Sequence, residues 1–398
     1  MVQIKTKSIY SIIAFFIILC VSLIFIGSSH AFSSSISYFS LIHITNSQNV
    51  STTSPFQQMI NLTINSTNSK YINQTGKYSF QNVEFFNTTS GAIIDSWLEN
   101  YTAKYAIFWI KLPNGIPANT TLNDIAIGFA PNDTNLFNNK TTGEAPQLSP
   151  IYGEYDDGAN VFIQYGGKSW SSFTFVGGNW TTSNGYLQQT ATTGSYGGGP
   201  TALIESTNYS ATGDYVLGMA FNYTTEADAR VGIIAVATPT ATPDTSGYRF
   251  IGQQGNDGAG FLSFLNDRIK WVVDNTYQGG VSTDYTMTIT DAGGTWSGAL
   301  YSGFGNEIST PLTTLSATSY TTANYEGETS GYVGISAAYY TGSTVEANPI
   351  NVMWFYMRSY PPKGIMPSVL IGKIQKINYT LDLNSTPHLS KGLQHIFP

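Results

Sequence analysis

The feature that most restricts the fold is the near absence of helical periodicity after residue 31. Short runs rich in β-branched and aromatic residues alternate there with clusters of Gly, Asn, Asp, Ser and Thr. Such runs, bounded by turn-forming residues, are typical of β-strands. The predicted strands are 105–112, 122–129, 215–223, 229–237, 248–252, 261–265, 269–273, 285–290, 296–304, 331–339 and 351–358.

Tight-turn dipeptides lie between these runs. Asn184-Gly185, Asp257-Gly258, Gly279-Gly280 and Gly293-Gly294 supply the positive φ angles that hairpin turns need. Many short strands at fairly even spacing predict an all-β sandwich or barrel with antiparallel pairing.

The N-terminus indicates export. Lys5 and Lys7 precede a charge-free, mostly apolar run over residues 9–26, and Ser29-His30-Ala31 has the small-residue character of a cleavage site. With positive charge only on the N-terminal side, the rest of the chain is expected outside the cell. Residues 1–31 are therefore either a signal peptide or an N-terminal membrane anchor, since the apolar run reaches the minimum length for spanning a bilayer.

Asn-x-Ser/Thr triplets support an extracellular or cell-surface location and are dense before residue 140. Such triplets are acceptors for N-glycosylation where the host has the machinery, although Asn- and Thr-rich chains also produce them by chance. The candidate glycosylation sites are Asn61, Asn65, Asn73, Asn87, Asn100, Asn119, Asn132 and Asn139.

A change of composition near residue 160 predicts a domain boundary. Before it the triplets are dense, and after it Gly and aromatic residues accompany longer alternating strands. With 398 residues the chain is long enough for two domains with their own cores. We expect one β-sandwich over 37–162, a second over 163–366, and a tail over 367–398, since Pro361-Pro362 cannot continue a central strand.

Several stretches resemble a known domain type. Ile44-Thr45-Asn46-Ser47-Gln48, Ala106-Ile107-Phe108-Trp109-Ile110-Lys111-Leu112-Pro113 and Tyr155-Asp156-Asp157-Gly158-Ala159-Asn160-Val161-Phe162 resemble a domain family of unknown function in archaeal and bacterial surface proteins. The segments around Asn179-Trp180 and Ile350–Arg358 resemble strands of a concanavalin A-like lectin/glucanase jelly roll, similar to laminin-G modules. The resemblance implies carbohydrate binding or adhesion and no particular activity, because the jelly roll hosts both lectins and hydrolases.

Histidine usage excludes several enzyme classes. The four histidines are His30, His43, His388 and His395, so a Ser-His-Asp, Cys-His or His/Cys zinc site cannot be assembled within residues 44–387. A net charge of −7 argues against nucleic-acid partners, which need clustered Lys and Arg.

The densest acidic group is Glu154-Tyr155-Asp156-Asp157. Three interpretations stay open for it: a structural loop, a Ca²⁺ site using Asp156 and Asp157, and a pair of catalytic carboxylates. The Glu-x-Asp-x-x-Glu pattern of jelly-roll glucanases is incomplete, because Ala159 replaces the third carboxylate.

Sugar binding needs an aromatic side chain to stack on the apolar face of the sugar ring. The candidates are Trp170, Trp180, Trp271, Trp296 and Tyr360. Tryptophans on strands also commonly pack in cores, and the sequence alone does not separate these roles.

Together these patterns predict a noncatalytic extracellular surface protein that binds glycans or mediates adhesion, with Ca²⁺ as a candidate cofactor. A structural cell-envelope component and a glycoside hydrolase-like enzyme are the alternatives. Few titrating groups, and no histidine in the body of the chain, predict a nearly flat melting temperature between about pH 7 and about pH 5.

Overall fold

The computed structural model describes residues 31–377, except 75–78, 139, 184, 192–200, 211, 224–228, 239–245, 254–259, 266–267, 275–276, 278, 281, 318–329, 342–343 and 348. The predicted signal or anchor segment thus lies outside the described residues, apart from Ala31. Within the described part, no helix is long and apolar enough to cross a membrane.

The described residues form strands joined by turns, with short helical turns at Ser69–Tyr71, Pro146–Leu148, Gly158–Val161 and Pro362–Gly364. In chain order the strands are β1 (Tyr38–Asn46), β2 (Phe56–Thr63), β3 (Val83–Asn87), β4 (Ser96–Tyr101), β5 (Tyr105–Leu112), β6 (Thr120–Phe129), β7 (Thr142–Glu144), β8 (Gln164–Gly166), β9 (Phe173–Val176), β10 (Trp180–Ser183), β11 (Tyr186–Gln189), β12 (Thr201–Ser210), β13 (Asp214–Tyr223), β14 (Ala229–Thr238), β15 (Ser246–Gln253), β16 (Gly260–Leu265), β17 (Arg268–Asp274), β18 (Tyr285–Ala292), β19 (Thr295–Ser302), β20 (Thr313–Ala317), β21 (Ser330–Thr341), β22 (Thr344–Ala347), β23 (Ile350–Ser359), β24 (Ser368–Ile371) and β25 (Gln375–Lys376).

The strands form four sheets. Sheet I has the order β24-β1-β6-β3, with β25 also on β1, and sheet II has the order β2-β5-β4-β7. Sheet III has the order β10-β11-β23-β13-β18-β19-β20, with β8 also on β23. Sheet IV has the order β17-β16-β15-β14-β21-β12-β9, with β22 on β21. Antiparallel pairing dominates, and β4 with β7 is a parallel pair. The predicted all-β fold of two consecutive sandwiches is confirmed.

Each sandwich encloses an apolar core between its two sheets. Sheets I and II bury side chains such as Phe85 and Phe108, whose rings meet edge to face at 5.3 Å. Sheets III and IV bury a second core that includes Met287 and Ile335. The chain passes repeatedly between sheets III and IV, as in a jelly roll.

An aromatic cluster joins the two sandwiches. Trp97 and Trp109 on the outer face of sheet II pack with Trp354 and Tyr356 on the outer face of sheet III, and Phe162 lies between them. Phe162 stacks on Tyr356 at 4.5 Å, and Trp97 meets Trp354 edge to face at 5.7 Å. The four sheets are therefore layered in the order I, II, III, IV, and the predicted boundary at residues 162–163 lies inside this interface.

Both ends of the described chain pack on the first sandwich. Phe32, next to the predicted cleavage site, is buried and stacks on Phe86 at 4.4 Å. At the other end β24 and β25 pair with β1. The segment expected to be a tail thus begins with two strands of sheet I, and residues 378–398 lie outside the described part.

Candidate functional site

Among the residues that the structure describes, the aromatic side chains expected to bind sugar do not come together on one surface. Trp170 and Trp296 lie in the core between sheets III and IV, with 4% and 2% of their surface exposed, so they cannot stack on a sugar in this fold. Trp180 is half-buried and stacks on the exposed Phe175 at 5.6 Å. The half-buried Tyr360 follows β23, and the side chain of Trp271 lies outside the described residues.

A cleft of about 380 Å³ opens instead on the outer face of sheet III, over β18, β19 and β20. Strand alternation creates it, because Met287 and Ile289 point into the core while the threonines beside them point outward. The lining is dominated by hydroxyl groups. It consists of Thr288, Thr290, Ser297, Gly298, Ala299, Tyr301, Thr314, Leu315 and Ser316.

The strand register arranges these residues in rows across the sheet. Thr288 pairs with Ala299, which pairs with Thr314. The small Ala299 leaves a hollow between two hydroxyl groups. In the next row Thr290, Ser297 and Ser316 are paired in the same way and offer three hydroxyls.

The first row continues into the interface between the sandwiches. Thr288 pairs with Gly218 on β13, and Gly218 pairs with Tyr356 on β23. A Cβ at position 218 would collide with the Tyr356 ring, so glycine is required for this ring to lie across the sheet. The cleft floor and the aromatic interface therefore share one sheet face.

Tyr301 connects the cleft to a buried charged cluster. Its side chain is hydrogen-bonded to Thr288, and burial together with the nearby Glu307 raises its pKa. Glu307 accepts a hydrogen bond from the Tyr356 hydroxyl. The loop before Glu307 is held by Thr286, whose hydroxyl donates to Gly303 O at 2.7 Å and accepts from Gly305 N at 2.8 Å.

The buried charged cluster consists of Glu307, Arg358 and, from sheet II, Glu99. Glu99 is fully buried, and its Oε2 accepts a hydrogen bond from Trp109 Nε1 at 2.9 Å. The Arg358 guanidinium lies 4.7 Å from the Trp109 ring centroid. Burial, and then the charge of Glu307, raise the pKa of Glu99 well above its usual range, with Arg358 opposing. With no exposed surface, Glu99 cannot contact a substrate in this conformation, so the cluster supports Tyr301 and the interface.

Asp156 and Asp157 lie in different environments. Asp156 Oδ1 accepts hydrogen bonds from Trp97 Nε1 at 3.1 Å, the Tyr165 hydroxyl at 2.9 Å and Gly158 N at 3.2 Å. Its Oδ2 accepts from Lys168 N at 2.8 Å. Asp156 thus joins the two sandwiches, as the structural-loop interpretation expects. By contrast, neither carboxylate oxygen of the buried Asp157 accepts a hydrogen bond from another residue.

No group of three or more His, Cys, Asp or Glu side chains among the described residues is arranged to hold a metal ion. The predicted Ca²⁺ site at Asp156 and Asp157 therefore stays a prediction, and its carboxylates are not equivalent.

The glycosylation candidates differ in accessibility. Asn61, Asn65, Asn119 and Asn132 are exposed, whereas Asn73, Asn87 and Asn100 are half-buried. Asn87 also uses its side-chain amide to donate to Asp124 Oδ2 at 2.6 Å. Asn139 lies outside the described residues.

No sequence pattern predicted a role for Tyr301, Glu99, Glu307, Arg358 or the hydroxyl rows. The alternation of threonine with apolar residues over 286–290 is a visible signal of an outward-facing row. Which rows become neighbours depends on strand pairing, which alternation alone does not provide.

Comparison with known sequences identifies a viral relative but no family. No family model matches the chain, so the resemblance of residues 37–162 to a surface-protein domain family stays a prediction. Over 161 residues the chain is 32% identical to "Uncharacterized protein 562" of Sulfolobus islandicus rod-shaped virus 1, covering 39% of this chain and 25% of the viral protein. The chain thus spans about a quarter of the length of this curated relative.

Comparison with solved structures gives distant likenesses. A carbohydrate-binding module from Bacillus subtilis is 13% identical, with a TM-score of 0.35, covering 47% of this chain and 96% of the module. Lectin II from Ulex europaeus is 15% identical, with a TM-score of 0.34, covering 47% of this chain and 92% of the lectin. Likenesses of this size identify neither a ligand nor a reaction for this chain.

Proposed function

We propose that this protein is a noncatalytic carbohydrate-binding protein of an extracellular surface, and that glycans bind in the cleft over β18–β20. The observation that carries the proposal is the pair of hydroxyl rows flanking Ala299, with the half-buried Tyr301 beside them. Sugar hydroxyls need several converging donors and acceptors, and an aromatic ring can cover the apolar face of a sugar. A volume of about 380 Å³ falls within the ordinary range of small-ligand sites.

The surface location rests on the sequence of residues 1–31 and on the triplets before residue 140. Glycans or cell-envelope components are the proposed partners, and adhesion is the proposed consequence of binding.

A larger side chain in the cleft should weaken glycan binding. We expect the full chain to bind at least one glycan on an array, and Ala299→Leu to weaken that binding at least tenfold, because the larger side chain occupies the hollow between Thr288 and Thr314. The measurement is titration of the identified glycan by calorimetry.

The matched control is Thr181→Leu on β10. Thr181 is exposed and pairs with Gln188, which puts it on the outer face at the opposite edge of sheet III. Unchanged binding by Ala299→Leu would place the site elsewhere. A chain that binds no glycan would favour a structural envelope component, and release of reducing sugar would favour the enzyme.

A further inference from the structure

We propose that Asp157, Asp95 and the carbonyl oxygen of Tyr155 form a Ca²⁺ site at the junction of the two sandwiches. Asp157 is only 4% exposed, and neither of its carboxylate oxygens accepts a hydrogen bond from another residue. It occupies the residue before the helical turn Gly158–Val161, yet its side chain does not cap that turn. A buried carboxylate without a donor is costly unless a cation or a proton compensates it.

Two oxygen atoms converge at the proposed site. A Cβ at position 143 would collide with both Asp157 Oδ1 and Tyr155 O, so these oxygens lie close together over the Gly143 Cα. Glycine at this position of β7 leaves the space open. A main-chain carbonyl beside a carboxylate is a donor set that Ca²⁺ accepts.

The third ligand comes from another chain segment. Asp95 immediately precedes β4, and β4 pairs in parallel with β7 starting from Ser96 opposite Thr142. In this register Trp97 pairs with Gly143, and Asp95, two residues before Trp97, lies on the same face of sheet II. The negative charge of Asp95 acts on Asp157, where it contributes to raising the pKa of that carboxyl group.

No protein cation acts on the carboxylate of Asp157 in the part of the chain that the structure describes. Among the described residues no ion pair to Asp157 occurs, and the charges acting on it are those of Asp156 and Asp95. Lys111, on the neighbouring strand β5, donates its ammonium group to Asn160 O at 2.9 Å. A hard divalent cation with oxygen ligands, completed by water, fits this uncompensated charge.

The site differs from the one expected from sequence. Asp156 was the obvious partner for Asp157, but four donors already engage its oxygens. Asp95, 62 positions before Asp157, replaces it because the β4–β7 pairing brings it near.

The test uses the full chain stripped with a chelator and then titrated with Ca²⁺ by calorimetry. We expect one Ca²⁺ per chain and a higher melting temperature in Ca²⁺, because an ion that binds the folded state stabilises it by mass action. Tb³⁺ should bind at the same position, with luminescence sensitised by Trp97, which contacts Asp156. Asp157→Asn should reduce Ca²⁺ affinity at least tenfold.

Asp133→Asn, which changes an exposed carboxylate in a loop, is the matched control and should bind Ca²⁺ normally. Asp157→Asn keeps the shape of the side chain, and circular dichroism verifies its fold. Two results together would overturn the site. They are absence of Ca²⁺ and Tb³⁺ binding by the unmodified chain, and an increase in melting temperature for Asp157→Asn that is equal with and without Ca²⁺. Asp157 would then be compensated by a proton and not by a cation. Full Ca²⁺ binding by Asp157→Asn would overturn the site too.

Discussion

We expect the melting temperature to rise by about 5–10 °C when the pH is lowered from 7 to 5, with chelator present. Buried carboxylates in both sandwiches carry this expectation, namely Glu84 and Glu144 in the first and Asp291 in the second. Burial raises the pKa of Glu84 to about 7, partly offset by the hydrogen bond that Glu84 Oε1 accepts from Ser33 N at 2.9 Å. Burial likewise raises the pKa of Asp291 to about 7, against the hydrogen bond from Gly294 N at 2.7 Å.

The direction of the pH dependence follows from the number of protons that the folded and unfolded states bind. Between the unfolded pKa near 4 and the folded pKa near 7, the folded state holds protons that the unfolded state has released. The free energy of unfolding therefore falls as the pH rises through this window and recovers as the pH falls. Each group contributes a change of about 2 kcal/mol between pH 5 and pH 7.

Replacing a carboxylate with its isosteric amide shows whether that group causes the pH dependence of the melting temperature. Glu84→Gln and Asp291→Asn keep an acceptor for Ser33 N and Gly294 N but cannot ionise. Each should raise the melting temperature at pH 7, leave it nearly unchanged at pH 5, and flatten the pH profile in differential scanning calorimetry. Asp133→Asn, at an exposed carboxylate, should leave the profile as it is. A wild-type melting temperature that falls on acidification to pH 5 would refute the assignment.

This expectation replaces the flat profile inferred from sequence. The count of acidic residues in the sequence is correct, but the count does not say which of them are buried. Glu84 lies on β3 with 2% of its surface exposed, and Asp291 on β18 is fully covered. Their burial depends on the loops and sheets packed over them, and local residue patterns carry no information on that packing.

The strands themselves were predictable because their signal is local. Residues 105–112 form β5 with the predicted bounds, and predicted strands 285–290 and 351–358 lie within β18 and β23. Alternation fixes which residues share a face, and turn residues fix where a strand ends. The short strands β24 and β25 escaped prediction, because their role as partners of β1 depends on a contact more than 320 positions away in sequence.

The candidate site was less predictable because it depends on pairing. The cleft needs Thr288, Ala299 and Thr314 opposite one another, and the proposed cation site needs Asp95 beside Asp157. The tryptophans were candidates for stacking on sugar rings. In the structure, however, Trp296 points into the core and its neighbour Ser297 points outward into the cleft. Residue type therefore indicated the class of chemistry without indicating its location.

The interface between the sandwiches gives the prediction with the largest effect on stability. Trp354 is fully buried between sheets II and III, stacked on Tyr356 at 5.5 Å and edge to face with Trp97 at 5.7 Å. Trp354→Ala should lower the free energy of unfolding by about 3–5 kcal/mol, as large-to-small core substitutions do. Because the cavity lies between the sandwiches, we also expect a single calorimetric transition to split into two.

The matched control is Trp354→Phe. Trp354 Nε1 has no hydrogen-bond acceptor, so phenylalanine loses no hydrogen bond and retains a ring against Trp97 and Tyr356. This variant should keep one transition and lose less than half of the stability that alanine loses. By contrast, Trp97→Phe should cost more than Trp354→Phe, since it leaves Asp156 without the Trp97 Nε1 donor. If Trp354→Ala melted as one transition at the wild-type temperature, the aromatic cluster would contribute nothing to holding the two sandwiches together.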